Sequence, residues 1–157
     1  MIFSSNFYPY HKKVDNYKHT VLIGIGCNIG NCVRRFKKLF LYFKKHPQVE
    51  ISDTSILYKN PPFGYLEQDD FINSLIVIKT NLSPKELLYF LLRTEKKFKR
   101  KRSFKNAPRT LDLDIIMYDN IKINDKKLNL PHPHFKERDS VLVPLFYLGL
   151  KNENKLF

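Results

Sequence analysis

The chain has 157 residues, of which 43% are hydrophobic and 14% aromatic, and its formal net charge is +13. This length suits a single domain, and the composition is sufficient for a buried core, which excludes a disordered chain. No apolar run approaches the roughly 20 residues that span a bilayer, and the N-terminus lacks the apolar block of a secretory signal. We therefore expect a cytoplasmic protein without a membrane partner.

The first predicted elements are a strand, a helix and a second strand. His19 to Gly26 is β-branched and apolar, which predicts a buried strand. A glycine-containing turn leads into residues 32–45, where apolar side chains recur at helical spacing until Pro47 ends the helix. Val49 to Tyr58 contains several β-formers and predicts the second strand.

Cys27 and Cys32 are the two cysteines of the chain. Their spacing is not that of a zinc knuckle, and no second pair of Cys or His residues completes four ligands. We expect two reduced thiols with a mostly structural role.

The next predicted elements are a third strand and a second helix. Phe71 to Thr80 is apolar and β-branched, as a buried strand would be. Ser83 then precedes Pro84 and Glu86, which is the pattern of a capping box with proline at the first helical position. A helix is therefore predicted from this point to Phe98.

A basic loop at residues 99–107 separates this helix from a fourth strand, Leu111 to Tyr118. Residues 121–130 are predicted to be strand-like, and Val141 to Leu148 to form a last helical turn or two. The core order βαββαβ predicts an α+β, ferredoxin-like fold, in which helices cover one face of an antiparallel sheet, here with extra C-terminal elements.

The chain contains no linker and no internal repeat, so one domain is predicted. We expect an N-terminal extension at 1–19, the domain itself at 20–150 and a short tail at 151–157.

Asp112 and Asp114 lie in the predicted fourth strand. Because side chains alternate along a strand, both carboxylates should point to one face and their apolar neighbours to the other. Two like charges on one face repel unless a cation lies between them, and paired oxygen ligands suit Mg²⁺ that also binds phosphates. The alternative is a solvated sheet face that carries two unligated acids.

The stretch from Arg93 to Arg109 carries nine cations and the single acid Glu95. Arg109 is a candidate phosphate ligand because its planar guanidinium suits bidentate contacts, although a salt bridge to an aspartate would also explain it. Arg100 and Arg102, in the basic loop, would close over ATP and screen its charge. A solvated run of charges is the alternative for either of these two.

Three further residues are candidates for binding a ligand. His132 lies between two prolines, which fix the backbone and therefore aim the ring. Asn73, in the third strand, offers the donor and the acceptor that the edge of a heterocycle requires. Phe71 lies on the same face and would stack on a flat ring, with core packing as its alternative.

The glycines at 24, 26 and 30 are not followed by the Gly-Lys-Ser/Thr of a Walker A motif, so an ATP site would be of another kind.

Taken in order, these residues resemble the 6-hydroxymethyl-7,8-dihydropterin pyrophosphokinase family of folate biosynthesis, over about Val21 to Leu148. The most specific block is Pro108-Arg109-Thr110-Leu111-Asp112-Leu113-Asp114-Ile115. Supporting blocks are Gly26-Cys27-Asn28-Ile29-Gly30, Pro61-Pro62-Phe63-Gly64, Asp70-Phe71-Ile72-Asn73, Pro131-His132-Pro133 and Glu137-Arg138 with Val141-Leu142-Val143-Pro144-Leu145.

The resemblance implies that the hydroxymethyl oxygen of the dihydropterin attacks the β-phosphorus of MgATP and that AMP leaves. It implies two Mg²⁺ ions bound by Asp112 and Asp114, with Asp114 also helping to take the hydroxyl proton. It implies a catalytic or phosphate-binding role for Arg100, Arg102 and Arg109. The remaining ATP contacts would be Glu95, Lys127, His132 and Arg138, and the pterin contacts would be Pro61, Pro62, Phe63, Gly64, Phe71 and Asn73. The expected partners are ATP and a dihydropterin, with no nucleic acid, and the expected state is a monomer.

Two positions depart from the family pattern. The basic loop is also about one residue shorter than in a common form of the family. Asn106-Ala107 stands where Trp-Gly is usual, and Ser140 stands where an aromatic residue often contacts the pterin. We expect weaker pterin binding, or compensation by Phe104 or Phe135.

Three other functions remain to be weighed. A nucleic-acid-binding module on the same fold would account for the basic charge, but no RNA-recognition strand motif is present. A magnesium-dependent phosphodiesterase would use the same two aspartates and would not need a pterin. A relative that has lost activity through its shortened loop is the third.

Overall fold

The computed structural model describes residues 1–152. The described elements are, in chain order, β1 (Ile2–Phe3), β2 (Tyr10–His11), β3 (His19–Cys27), α1 (Cys32–Lys44), β4 (Val49–Thr54), β5 (Leu57–Asn60), β6 (Phe71–Thr80), α2 (Pro84–Lys97), β7 (Asp112–Tyr118), β8 (Ile123–Asn124), β9 (Asn129–Leu130), a 3-10 turn (Phe135–Glu137) and α3 (Asp139–Asn152).

One antiparallel sheet forms the centre of the protein. Its strand order is β1-β5-β6-β3-β7, β4 also pairs with β6, and β2 pairs with β4. The α+β, mostly antiparallel architecture expected from the sequence is therefore confirmed. Strands β8 and β9 form a separate hairpin, where the sequence predicted a strand-like segment.

The two faces of the sheet are covered by different helices. Alternate residues of β3, such as Val21 and Ile23, face a core closed by α1 and α2. Leu22 faces a smaller second core, together with Val141 and Leu148 of α3. The predicted helices thus lie on one face, and α3 covers part of the other. It is longer than the predicted turn or two, and it begins with Asp139, a favourable charge at a helix N-terminus.

The helix starts follow the local sequence. Ser83 Oγ accepts a hydrogen bond from Glu86 N, and the Glu86 carboxylate accepts one from Ser83 N at 2.9 Å, so the predicted capping box is present. Asn31 caps α1 in the same way, through a hydrogen bond from Arg34 N at 3.0 Å. Both caps satisfy backbone donors that would otherwise lack partners.

The segment predicted as a single second strand is divided in two. Ser55 lies between β4 and β5, and its hydroxyl accepts a hydrogen bond from Leu75 N at 2.9 Å. The Ser55 side chain thus takes part in the pairing with β6, and the strand breaks at this point. β5 then pairs with the N-terminal end of β6, and Asn60 lies opposite Phe71.

The N-terminal extension packs on the sheet. Strand β1 pairs with β5, and Lys59 N donates to Met1 O at 2.9 Å. The Tyr8 side chain is fully buried, and its hydroxyl donates to Phe36 O at 2.9 Å. These residues therefore belong to the same core as α1. At the other end, α3 includes residues 151 and 152 of the predicted tail, and the rest of that tail lies outside the described residues.

The expectation of two reduced thiols is wrong, because Cys27 and Cys32 form a disulfide. Cys27 ends β3 and Cys32 begins α1, so the intervening turn brings their Cα atoms to 5.7 Å, within the range that a disulfide spans. The guanidinium of Arg35 donates to Cys27 Sγ and to Thr110 O, which ties the turn to the start of β7.

Candidate active site

The floor of the site is formed by two glycines of β3. Gly26 pairs with Asp112 and Gly24 with Asp114 across the β3–β7 ladder. A Cβ on Gly26 would lie 2.8 Å from Asn73 Oδ1 and 3.8 Å from Asp112 Cβ, so the missing side chain leaves room between the amide and the carboxylate. The backbone at Gly24 and Gly26, which carries no side chains, forms the base of an open groove.

Both aspartates point into this groove, as the alternation along the strand predicts. Asp112 and Asp114 line the same two adjoining cavities, whereas Leu113 and Ile115 are buried in the core against α1 and α2. We call the part of the groove around these two carboxylates and their arginine neighbours the acidic end. Its cavity has a volume of about 390 Å³ and is lined by residues 100–107 of the basic loop.

Each oxygen of Asp112 is bound by an arginine. Arg100 Nη1 lies 2.7 Å from Asp112 Oδ1, and Arg109 Nη1 lies 3.1 Å from Asp112 Oδ2. Burial acts to lower the pKa of Arg100, but the charges of Asp112 and Glu95 outweigh it, so the pKa is raised and the cation is retained. Arg100 therefore keeps its positive charge beside the groove.

Glu95 lies beneath the groove. It is 3% exposed, and its carboxylate accepts from Arg100 at 2.8 Å, Arg102 at 2.9 Å and Leu113 N at 2.8 Å. Burial raises the pKa of Glu95, against these three interactions, which lower it. The carboxylate orients two arginines and one strand from below, and it lies outside the lining of both cavities.

The two aspartates have different environments. The pKa of Asp114 is raised to about 7, first by burial and then by the negative charges of Asp112 and Glu95, which outweigh the opposing effect of Arg100 and Arg138. No described residue donates a salt bridge to Asp114, whereas Asp112 has two. The acidic end therefore contains one carboxylate whose charge is balanced and one whose charge is not.

This imbalance fits a bound cation. Within residues 1–152 the protein offers no group of three or more His, Cys, Asp or Glu side chains placed to hold a metal. Two carboxylates beside an open, cation-lined cavity instead match the way Mg²⁺ is bound, through one or two carboxylates together with phosphate oxygens and water. Asp112 and Asp114 are the residues that would hold it.

His132 and Arg138 border both cavities. His132 Nδ1 accepts from His134 N at 3.2 Å, which leaves Nε2 to carry the proton of the neutral ring. Burial and the nearby charge of Arg138 lower the pKa of His132 and keep the ring neutral. The Nε atom of Arg138 is buried and has no hydrogen-bond partner among the described residues.

The other part of the groove is lined by aromatic and amide side chains. We call it the amide end and define it by Asn60, Phe63, Phe71 and Asn73. The ring of Phe71 lies beneath the Arg109 guanidinium at 5.3 Å, and the ring of Phe63 lies beneath Arg138 at 4.9 Å. Phe63 is 65% exposed, so one face of a flat ring is available at this end.

The loops above the groove are joined by amide side chains. Asn28 Nδ2 donates to Gln68 Oε1 at 2.7 Å, and Gln68 Nε2 donates to Asn106 O at 2.9 Å. Asn28 Oδ1 also accepts from Arg109 N at 2.9 Å. The turn after β3, the loop at 61–70 and the basic loop are thus connected at one point.

The structure does not bring every predicted site residue to the groove lining. Pro61, Pro62 and Gly64 lie in the loop beside Phe63 but outside that lining, and a Cβ on Gly64 would meet Asn106 Nδ2. Lys127 lies on the β8–β9 hairpin with Nζ 5.9 Å from the Tyr89 ring, away from both cavities. Their ligand contacts stay predictions.

The two proposed replacements for the missing aromatic residues differ in position. Phe104 lines the acidic-end cavity, is 55% exposed and contacts the Tyr65 ring at 5.1 Å. Phe135 is 8% exposed and is part of the second core. Asn60 is a groove residue that the sequence interpretation missed, because its position depends on cross-strand register.

An antiparallel α+β fold that brings paired carboxylates, arginines and an exposed aromatic ring to one groove is typical of a nucleotide-dependent phosphotransferase. Comparison with known proteins narrows this class. A model of the 7,8-dihydro-6-hydroxymethylpterin-pyrophosphokinase family matches residues 22–149. The chain belongs to this family and is a pyrophosphokinase.

Individual relatives agree with this assignment. The chain is 43% identical over 148 residues to the 2-amino-4-hydroxy-6-hydroxymethyldihydropteridine pyrophosphokinase of Helicobacter pylori, covering 92% of this chain and 90% of that one. It is 44% identical over 142 residues to the protein of the same name from Campylobacter jejuni, covering 90% of each. It is 35% identical over 126 residues to the Aquifex aeolicus protein of that name, covering 80% of this chain and 78% of that one.

The family assignment gives no support to a nucleic-acid-binding module or a phosphodiesterase. None of the helices in the described part of the chain combines the length and the hydropathy that crossing a membrane requires.

Proposed function

We propose that the groove transfers pyrophosphate from ATP to the hydroxymethyl group of 6-hydroxymethyl-7,8-dihydropterin. The substrate oxygen forms a bond to the β-phosphorus, the bond from that phosphorus to the oxygen bridging the α-phosphate breaks, and AMP leaves. The observation that carries the proposal is the juxtaposition, across the bare backbone of Gly26, of the Asn73 amide and the Asp112 carboxylate. A pterin at the amide end would present its hydroxymethyl group toward a triphosphate at the acidic end.

Asp112 and Asp114 would hold two Mg²⁺ ions together with the triphosphate. When bound, Mg²⁺ neutralises phosphate charge and makes the β-phosphorus a better electrophile. Arg100 and Arg109 each donate a hydrogen bond to one oxygen of Asp112, and the same guanidinium groups would bind phosphate oxygens of ATP. Arg102, whose side chain is 64% exposed, would close over the phosphates from the basic loop.

The proton of the attacking hydroxyl needs an acceptor. Asp114, with its pKa raised to about 7 by burial and by Asp112, is the carboxylate at the acidic end suited to take it near neutral pH. Placement of the two substrates in line contributes more to the rate than this proton transfer does.

The remaining residues would bind the two substrates. His132 would donate through Nε2, and Arg138 through its unpaired Nε, to ATP. Lys127 would approach the nucleotide from the β8–β9 hairpin, and Glu95 would act from below by holding Arg100 and Arg102.

The pterin would occupy the amide end. Asn73 would pair with the heterocycle edge, Phe71 and Phe63 would border its ring, and the backbone of Pro61, Pro62 and Gly64 would close the outer wall.

Two further inferences concern the context of the reaction. We expect the protein to act as a monomer, because this chain's own carboxylates, arginines and amide side chains supply the groups that the reaction requires. The use of ATP supports a cytoplasmic location, where the Cys27–Cys32 disulfide would face reducing conditions.

The test follows the nucleotide product. Wild-type protein is incubated with MgATP, with and without 6-hydroxymethyl-7,8-dihydropterin, and AMP and ADP are separated by chromatography. AMP that forms only with the pterin supports the proposal. AMP without the pterin would indicate hydrolysis, and ADP would indicate transfer of a single phosphoryl group; either result contradicts the proposal.

A further inference from the structure

Two asparagine side chains at the amide end are hydrogen-bonded to each other. Asn73 Nδ2 donates to Asn60 Oδ1 at 2.5 Å, and Asn60 Nδ2 donates to Pro61 O at 3.1 Å. Asn60 is the last residue of β5 and lies opposite Phe71, which places its side chain diagonally across from Asn73 on the same face of the sheet.

The direction of these bonds is set at the Pro61 carbonyl. A carbonyl oxygen only accepts, so the amino end of Asn60 faces Pro61 and its oxygen faces Asn73. The oxygen of Asn60 in turn accepts only from the amino end of Asn73. The order of donors therefore determines the orientation of the Asn73 amide in the groove, and with it the position of its oxygen.

The oxygen of Asn73 is the acceptor that this orientation presents over Gly26. Asn73 Oδ1 lies over Gly26, at the position that a Cβ would approach to 2.8 Å, and no described residue donates a hydrogen bond to it. The bond to Asn60 engages one of the two Nδ2 hydrogens and fixes the orientation of the amide, so the groove offers an oxygen at this point. A ligand that fills the amide end must supply an N–H or O–H there, because a buried acceptor without a donor costs free energy.

We propose that Asn60 is a specificity-determining residue. By holding the Asn73 amide in one orientation, it makes the groove select a heterocycle with a donor, such as the 2-amino group of a pterin, over the same ring with an oxygen in that place. This inference rests on the proposed pterin site. Asn60 acts on the ligand through Asn73 and is a positioning residue for it.

The position of Asn60 depends on residues outside the family match. Strand β5 has four residues, and its outer edge is covered by β1, where Lys59 N donates to Met1 O at 2.9 Å. The family model matches residues 22–149, so β1 lies outside it. The N-terminal segment thus helps to hold the strand that orients Asn73.

The test compares two fluorescent ligands that differ at one group: 6-hydroxymethylpterin and 6-hydroxymethyllumazine, in which oxygen replaces the 2-amino group. Dissociation constants are measured with MgCl₂ and α,β-methylene-ATP, whose α–β bridge cannot be cleaved. The quantity of interest is the ratio of the two constants. Asn60→Ala frees the Asn73 amide to turn, so the ratio should fall about tenfold from the wild-type value.

Asn60→Asp is the matched variant. Its carboxylate still accepts from Asn73 Nδ2, so the ratio should stay within about twofold of wild type. Lys59→Ala, an exposed neighbour in β5, controls for general effects on the strand and should leave the ratio unchanged. If Asn60→Ala does not fold, Asn60→Leu replaces it in the comparison, because leucine has a similar shape and no polar side-chain atoms.

An unchanged ratio in the folded Asn60→Ala or Asn60→Leu protein would overturn the proposal, as would an Asn60→Asp variant that loses as much selectivity as Asn60→Ala. Wild-type AMP release with the pterin is measured in parallel. If it persists while the ratio is insensitive to Asn60, only the role of Asn60 is wrong; if it is absent, the pterin site itself is wrong, and the role of Asn60 with it.

Discussion

The acidic end and the amide end of the groove are prepared for their ligands in opposite ways. At the acidic end, Asp112 is already bound by two arginines, and Glu95 binds one of these and a third from below. At the amide end, neutral side chains leave one acceptor oxygen and exposed ring surface without a partner. When a ligand binds at the acidic end, the arginines there must exchange one hydrogen-bond partner for another. At the amide end, ligand binding only adds hydrogen bonds and ring contacts.

This difference has an energetic basis. A buried charge without a partner costs several kcal/mol. The arginines of the acidic end are therefore paired with carboxylates of the protein itself. An amide oxygen facing a solvent-accessible groove carries a much smaller penalty. We therefore expect substitutions at the acidic end to change both stability and turnover, and substitutions at the amide end to change mainly pterin affinity.

The largest expected effect is that of Asp112→Ala. It removes a proposed metal ligand and the shared partner of Arg100 and Arg109, so kcat for AMP release should fall by about 10³ or more. Asp125→Ala, on the β8–β9 hairpin and 3.7 Å from Lys85, is the control and should retain wild-type turnover. Near-normal rates in Asp112→Ala would contradict the metal assignment.

Glu95→Gln tests whether the arginines are held from below. The amide can still accept from Leu113 N but no longer balances two guanidinium charges, so we expect a loss of about 2 kcal/mol in the free energy of unfolding. For a chain of this size that corresponds to a melting temperature lower by about 4–8 °C. Glu67→Gln, at an exposed loop position, should shift it by less than about 2 °C. Equal melting curves for the two variants would show that Glu95 does not stabilise the acidic end.

The sequence predicts those features of the fold and the site that depend only on residues close together in the chain. The alternation that places Asp112 and Asp114 on one face, and the capping box at Ser83, depend on neighbours within a few residues. The pairing of Cys27 with Cys32 was missed although the residues are close in sequence, because it depends on how tightly the turn folds. Spacing alone does not give the distance between two Cα atoms.

Most of the features that the sequence does not predict depend on the register between strands that are distant in sequence. Asn60 reaches Asn73 only because β4 and β5 separate at Ser55 and β5 pairs with the start of β6. Strands β1 and β2 have two residues each, too few for a periodic pattern to be recognised. The charged run at 93–109 suggested phosphate contacts, but the burial of Glu95 beneath Arg100 and Arg102 follows from how α2 packs against β7.

Gly26→Ala and Gly24→Ala compare two neighbouring positions of the groove floor. A Cβ at Gly26 would meet Asn73 Oδ1 at 2.8 Å, so pterin KM should rise about tenfold as the amide is displaced. A Cβ at Gly24 would meet Ile116 Cδ1 at 3.3 Å, and the flexible end of that side chain can move, so its pterin KM should change less than about threefold. Equal effects at the two positions would contradict the assignment of the amide end to the pterin.

The last prediction concerns the pH dependence of stability in the Asp114→Asn variant without metal. The sign of this effect is more informative than its size. The pKa of Asp114 is raised from 3.8 to about 7 in the folded protein, first by burial and then by the charges of Asp112 and Glu95. Between about pH 4 and pH 7 the unfolded chain has lost this proton and the folded protein retains it, so rising pH lowers the contribution of Asp114 to the free energy of unfolding. Asp114→Asn removes that loss.

In a magnesium-free buffer at pH 7, Asp114→Asn should therefore melt at a higher temperature than wild type, by about 2–4 °C for each kcal/mol gained. The advantage should shrink toward pH 4, where Asp114 is protonated in both states. Asp112→Asn, two residues away, should have the opposite sign, since it leaves Arg100 and Arg109 without their shared carboxylate. Lower stability in both variants at pH 7 would mean that Asp114 is also stabilised as an anion. The acidic end would then lack the unbalanced charge that we assign to a bound cation.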